Sequence, residues 1–231
     1  MNEANATVRV LSVADCPGDY ALLRLAAPLC AGRIGPGQHV RINGRVWAVM
    51  RAASRDGWLD CLQRGVRPPP ADAAIALEGP LGTAFDLARA TPRALLVGAE
   101  GGIAPMVFLA DLLRHRRPRV KPLVLLQTAT AFPFNPKPSR IIVPGLPAWV
   151  IAAMPLLEDW GVPSRLASAQ ELPGCFDGGP VELGRSWLDV SQGVADVTIF
   201  ACGSEDVLAA ARGLAAEYRL ACQTAPSVPE S

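Results

Sequence analysis

The sequence predicts an all-β antiparallel barrel over residues 1–90, followed by an α/β domain with a parallel, nucleotide-binding-type sheet over residues 91–231. Three observations carry this. Short strand-like runs separated by turn residues fill the first part, at the spacing of a small barrel. The composition changes near Thr91-Pro92-Arg93, within a boundary region at 88–92, and apolar strand runs then alternate with helical patterns. Between them, Ala94–Leu113 reads as a buried strand, a glycine turn and a helix. That arrangement either presents backbone N–H groups to a pyrophosphate or is an ordinary tight connection.

In the first part, Thr7–Leu11 alternates as a half-buried strand does, and Tyr20–Leu25 follows the turn Pro17-Gly18-Asp19. Gly35-Pro36-Gly37 precedes the run His39–Ile42. Asn43-Gly44 is a hairpin dipeptide leading into Arg45–Met50. Asp56-Gly57 leads into Trp58–Leu62, and Pro68-Pro69-Pro70 stiffens the path to Ile75–Leu77. The loop Gly79–Thr83 has two glycines that allow close approach to a ligand.

In the second part, the run Ala94–Val97 breaks at Gly98, and Pro105 suits the first helical position, where its missing N–H costs nothing. Arg114–Arg117 reads as a solvated, dipole-complementing helix end rather than a binding patch. Pro122–Leu126 is a second buried strand. A Pro-rich excursion spans 132–147, and its start, Phe132–Pro138, cannot sit inside a sheet. It is either a surface loop or, being apolar, a lid or docking arm. Arg140–Val143 reads as a strand, Ala148–Trp160 as a strand entering a helix near Pro155, Arg165–Ser168 as a strand and Leu183–Leu188 as a short helix. Cys175 is either a reactive thiol or a buried small hydrophobe. Val197–Cys202 is a strand, and Ser204 can cap the helix that begins with Glu205 and Asp206. Cys202 and Gly203 then lie at the carboxyl end of a strand, where ligands gather in open α/β sheets, or Cys202 is simply a packed thiol next to a C-terminal turn.

The bulk properties exclude several classes. Half of the 231 residues are hydrophobic and the net charge is +1, so no nucleic-acid groove is expected. The start, Met1–Asn5, is polar, and no apolar run approaches a membrane span of ~20 residues. The six cysteines are scattered without a CxxC pair, and the two histidines, His39 and His115, do not suggest a metal site. These features predict a cytoplasmic protein with reduced thiols.

Six fragments in order carry a resemblance: Pro36–Ile42, Arg45–Ala48, Gly79–Leu87, Leu95–Met106, Phe200–Leu208 and Glu217–Cys222. On these the chain resembles the ferredoxin–NADP reductase superfamily, and looks most like the electron-transfer subunit of dihydroorotate dehydrogenase. The resemblance implies an FAD-binding barrel and an NAD(P)-binding domain that pass electrons between NAD(P)H and an acceptor. It implies FAD contacts at Arg45 (pyrophosphate), Trp47, Ala48, Gly65, Gly82 and Thr83. Ala48 stands where the family has a hydroxyl residue.

For NAD(P) the resemblance implies Gly98, Gly101, Gly102, Pro105 and Gly203, with Cys202 as the catalytic-site residue near the nicotinamide. Ala99 and Glu100 occupy positions where it has glycine, and Ser204 replaces a proline. A carboxylate at Glu100 repels a pyrophosphate by about 1 kcal/mol in water at 4 Å. The family member's 2Fe–2S cluster needs four cysteines near the C-terminus. Only Cys222 stands there, nine residues before the last residue given, so no cluster is expected. The expectation is a flavin-dependent oxidoreductase or electron-transfer protein with a redox partner protein. The alternative is a divergent, non-catalytic interaction or regulatory module.

Overall fold

The computed structural model describes residues 6–191 and 193–228. Its first six strands are β1 (Ala6–Cys16), β2 (Tyr20–Ala26), β3 (His39–Ile42), β4 (Arg45–Ala53), β5 (Trp58–Arg64) and β6 (Ala74–Leu81). A short helix, α1 (Pro28–Ala31), lies between β2 and β3. The strands close into a barrel in the order β1-β2-β5-β4-β3-β6, with every neighbouring pair antiparallel. Closure leaves no unpaired strand edge. Each strand-like run of the first part is found; His39–Ile42 keeps its bounds, and the other five extend beyond the stretch their pattern marks.

The second part begins with β7 (Arg93–Ala99), a 3₁₀ turn (Glu100–Gly102) and α2 (Ile103–Arg116). There follow β8 (Lys121–Gln127), β9 (Lys137–Pro138), β10 (Ala152–Ala153), α3 (Pro155–Asp159) and β11 (Ser164–Ala167). The chain continues through α4 (Pro180–Val190), β12 (Val197–Gly203), α5 (Glu205–Tyr218) and β13 (Ala221–Pro226). Five strands form a parallel sheet in the order β11-β8-β7-β12-β13. Among the described residues no helix is long and apolar enough to cross a membrane.

Helix α2 explains how the two parts meet. Every residue from Ile103 to Leu113 is buried, so the helix has no polar face until its last turn. Ala104, Met106 and Val107 pack with sheet residues such as Leu96 and with Tyr20, Ala48, Met50 and Leu62 from the outside of the barrel. Phe108 and Leu112 join the barrel's own core with Trp47, Val49 and Leu59. Strand β4 is therefore covered on both faces, which accounts for the unbroken apolar run Val46–Met50. A third cluster packs α4 and α5 on the opposite sheet face.

Several elements differ from the sequence reading. Strand β7 runs through Gly98 to Ala99, and Pro105 is the third residue of α2, where its missing N–H still leaves no intrahelical bond unmade. Arg140–Val143 is not a strand. Prolines bound it on both sides, Ile142 is 87% exposed, and the Ile141 carbonyl accepts from the Arg165 guanidinium at 2.8 Å instead of a ladder N–H. The Pro-rich excursion is split. Phe132 is buried and stacks on Phe134 with centroids 5.2 Å apart, whereas Asn135–Pro138 are exposed. Its end does enter a ladder, as β9 pairs with β10 in a two-residue bridge. Helix α4 is longer than Leu183–Leu188, and β13, which the pattern did not mark, completes the sheet. Arg114 is not simply solvated: it bonds Asp111 and stacks over Trp160. Ser204 occupies the N-cap position of α5 without a side-chain cap bond. Cys175 is a buried thiol whose pKa is raised by burial.

Candidate functional site

The seam between barrel and sheet holds a crevice of about 630 Å³, within the range of small-molecule sites. One wall is the loop after β6, Gly82–Phe85. The opposite wall is β13 and the residues after it, Gln223–Val228, and His39, Val46 and Gly37 complete the lining. The loop is held from several directions. The Phe85 N–H donates to Pro36 O at 2.8 Å, and the Gln38 amide donates to Gly82 O at 3.0 Å. Gln223 clamps Asp86 twice, accepting from its N–H at 2.8 Å and donating to its carbonyl at 3.0 Å. Phe85 meets Phe200 edge-on at 5.7 Å, which ties the loop to β12. Gly82 has φ +78, and a Cβ there would meet the His39 ring at 3.3 Å, so the loop uses glycine to bring its backbone against the histidine.

Burial, and then the nearby Arg41 charge, lower the His39 pKa, so the ring is neutral at neutral pH and offers one donor and one acceptor. Phe85, Val46, Ala225 and Val228 supply apolar surface, and Thr83 and Ser227 supply hydroxyl groups. Among the described residues no arginine or lysine lines the crevice.

Of the residues that the resemblance assigns to FAD, Gly82 and Thr83 line this crevice. Arg45 is exposed at the start of β4, opposite Ile42, and is not in the lining. Trp47 is 2% exposed and packs in the barrel core, on the face of β4 turned away from the seam. Ala48 faces the seam but is packed there with Tyr20, Leu62 and Ala104. Gly65 ends β5 at φ +67 and donates its N–H to Asp19 O at 2.9 Å.

The β7–α2 turn is filled by the chain itself. A Cβ on Gly102 would overlap the Cys202 carbonyl, one on Gly101 would lie 2.5 Å from Val228 O, and one on Gly98 would lie 2.8 Å from Gly102 O. On Gly203 it would meet Ala99 and Val207 at 3.2–3.3 Å. At Gly98, Gly101 and Gly102 glycine is required by contact with the protein's own backbone, at Gly203 the close neighbours are side chains, and Pro105 is buried in α2. Glu100 adopts φ +51, and its carboxylate accepts from the Ala129 N–H and from the Thr128 hydroxyl at 3.1 Å. The loop it holds, residues 128–134, reaches the barrel, where a Cβ on Gly18 would lie 2.9 Å from Ala131 O. Cys202 is wholly buried, and burial pushes its thiol up to about 12. It stays protonated and shielded.

The sequence reading therefore locates one wall of the crevice and misses the other. His39, Val46, Phe85 and Gln223–Val228 carried no assignment. The available signal was position: Ala221–Pro226 follows the helical pattern that ends at Tyr218, where a domain of alternating strands and helices places its next strand, with its carboxyl end at the ligand edge of the sheet.

No protein-family model matches the sequence, and no curated protein matches it. Solved structures do match. The cytochrome P450 reductase GcoB of Amycolatopsis superposes with a TM-score of 0.68 at 18% identity, over 99% of this chain and 72% of that one. The ferredoxin reductase in carbazole 1,9a-dioxygenase, in its FAD apo form, gives 0.67 at 13%, over 98% and 68%. The CS-b5R domains of human Ncb5or, in the NAD+ form, give 0.69 at 14%, over 97% and 70%. The structural neighbours are thus ferredoxin–NADP reductase-like, and the barrel-plus-parallel-sheet fold is theirs.

Proposed function

We propose that this protein is a flavin-linked oxidoreductase or electron-transfer module that takes a flavin by its ring in the seam crevice and passes electrons to a partner protein. The observation that carries this is the crevice itself, a rigid slot that includes Gly82 and Thr83 and sits at the barrel–sheet seam. The neighbours named above, a P450 reductase and a ferredoxin reductase, motivate the electron-transfer class. The finer likeness to the dihydroorotate dehydrogenase subunit rests on the six sequence fragments alone. A cytoplasmic setting is supported by six free cysteines.

The fit to FAD is partial. Phe85, Val46 and Val228 present apolar surface to a planar ring and exclude water from it. Neutral His39 and the Thr83 hydroxyl offer hydrogen bonds to its polar edge. A diphosphate finds no cation in the lining, so the crevice fits the ring better than the dinucleotide tail. When bound, a flavin supplies the redox-active ring, and the protein supplies position and polarity. A pyridine dinucleotide does not fit the β7–α2 turn as it stands. The turn's glycines touch the chain's own backbone, and Glu100 sets a carboxylate beside it. No electron-donating step is assigned to that turn.

The alternative, a non-catalytic relative that keeps the fold as an interaction or regulatory module, is not favoured by the structural neighbours, which are reductases. Titration with riboflavin, FMN and FAD separates the two, read as flavin fluorescence quenching. The first reading expects riboflavin to bind about as well as FAD, and Val46→Trp to abolish binding by filling the crevice. Absence of binding by all three flavins sinks it. If flavin binds, anaerobic mixing with NADH or NADPH tests for reduction.

A further inference from the structure

A second seam groove, of about 670 Å³, lies where the β4–β5 hairpin meets the end of α2. Arg51, Trp58 and Arg114 line it, and they belong to a ladder of alternating guanidinium and indole groups that crosses from barrel to sheet domain and includes Arg24 and Trp160 outside the lining. Arg24 lies 4.1 Å from the Trp58 ring centroid, Arg51 lies 5.2 Å from Trp58 and 5.5 Å from Trp160, and Arg114 lies 4.4 Å from Trp160. Stacking on indole faces fixes each guanidinium plane and leaves its N–H edges to make hydrogen bonds.

The ladder is short of anionic partners. Asp60 takes both Arg24 bonds, at 2.7 and 2.9 Å, and stands 3.9 Å from Arg51. Asp111 is engaged by Arg114 at 2.9 Å and by His115 at 3.4 Å. Arg55 and Arg116 add two exposed cations to the lining, whose acidic residues are the exposed Asp56 and the already engaged Asp111. The Arg51 Nε is buried with no hydrogen-bond partner. Arg51 nonetheless keeps 28% of its side chain exposed and lines the groove, so a ligand there reaches the part of the side chain beyond the buried Nε. In a chain whose net charge is +1, this groove concentrates positive charge on oriented guanidinium groups.

We infer that the groove binds a phosphate-bearing small polyanion, with Arg51, Arg55 and Arg116 as its charged contacts and the Trp58–Arg51–Trp160 stack as the platform that holds them. The ligand class follows from the donor set: guanidinium edges match phosphate oxygens bidentately, and the volume suits a diphosphate with or without an attached nucleoside.

The test is isothermal titration of the full chain with inorganic pyrophosphate, ADP and adenosine at matched ionic strength. Pyrophosphate and ADP are expected to bind, adenosine is not, and affinity should fall as salt is raised. ADP binding tighter than pyrophosphate would place a nucleoside on the groove wall; equal affinity would confine recognition to the phosphates. The double variant Arg55→Gln/Arg116→Gln, at exposed positions where folding is little affected, should weaken pyrophosphate about tenfold or more. Arg212→Gln, on α5 across the sheet, should leave it unchanged. Failure of the wild-type chain to bind pyrophosphate overturns the proposal. So does a double variant that binds as tightly as wild type, or an Arg212→Gln loss of the same size. None of these outcomes depends on flavin binding in the other crevice.

Discussion

Gly102 and Cys202 meet backbone to backbone: the Cα of one sits against the carbonyl of the other, with no room for a single methyl group between them. This contact joins the β7–α2 turn to the carboxyl end of β12, the place where an open α/β sheet holds its ligands.

Gly102→Ala should therefore be costly. The methyl group overlaps a backbone carbonyl, which cannot swing aside as a side chain tip can, and both residues are buried. A loss of about 2–3 kcal/mol is expected from overpacking of this kind. Urea denaturation reads it as a lower midpoint at unchanged slope. An unaltered midpoint would show that the turn is looser than the contact implies.

Glu100 combines a strained backbone with a useful side chain. Its φ of +51 disfavours any residue with a Cβ, by about 1–2 kcal/mol, while its carboxylate caps the loop at Thr128 and Ala129. Glu100→Ala keeps the strain and loses the bonds, so it should destabilise by roughly 1.5–3 kcal/mol. Glu100→Gly loses the same bonds but relieves the strain, and should be about 1 kcal/mol more stable than the alanine variant. Equal stabilities for the two variants would argue against the left-handed backbone at this residue.

How far the sequence foretold the molecule depends on what decides each feature. The barrel strands and β7, β8 and β12 were legible because one or both faces are buried and the pattern records it. Arg140–Val143 misled because its apolar run carries no mark that its carbonyl serves Arg165. The glycines of the β7–α2 turn were visible as letters, but whether they make room for a phosphate or for Cys202 depends on a strand about a hundred residues away in sequence. Trp47, where the resemblance implies an FAD contact, packs in the barrel core, and its letter alone does not say so. Strands with both faces covered do not reveal by composition which side meets the seam.

The two halves of the Pro-rich excursion should behave differently. Phe132 is 2% exposed within the seam core, so Phe132→Ala is expected to cost about 3–5 kcal/mol. Ile142 is 87% exposed, and Ile142→Ala should fall within about 0.5 kcal/mol of wild type. Thermal or urea melts of the pair suffice. Similar losses for both would mean that the excursion packs as a unit.

Cys202 should resist thiol reagents at neutral pH until the chain unfolds. Its pKa of about 12 and full burial remove both the thiolate and the access. Mapping of alkylated peptides after native iodoacetamide treatment should find Cys202 unmodified. Rapid native labelling would contradict the packing of β12 against the turn. The raised pKa also carries a sign. Below the ordinary thiol value of 9.0 the neutral form in the fold is fully stabilising, and that contribution is lost as pH climbs from 9.0 towards 12.

His39 gives the complementary dependence at mild acid. Burial and Arg41 lower its pKa below 6.5 in the fold, so between that value and 6.5 the unfolded chain binds more protons than the folded one. Stability should therefore be fully present above 6.5 and decline as pH falls towards the folded pKa. Carboxylates also titrate as pH drops, so the wild-type curve alone does not isolate the histidine. His39→Gln removes its contribution and should flatten the slope just below pH 6.5 while leaving the steeper carboxylate-driven loss at lower pH. The same substitution tests the crevice. Wild-type flavin affinity should be level above pH 6.5 and weaken as pH falls through the lowered pKa of the folded state and the ring charges against a partly apolar lining, whereas the glutamine variant should show no break. A break that persists in His39→Gln would assign the titration to another group and remove the histidine from the ligand's polar contacts.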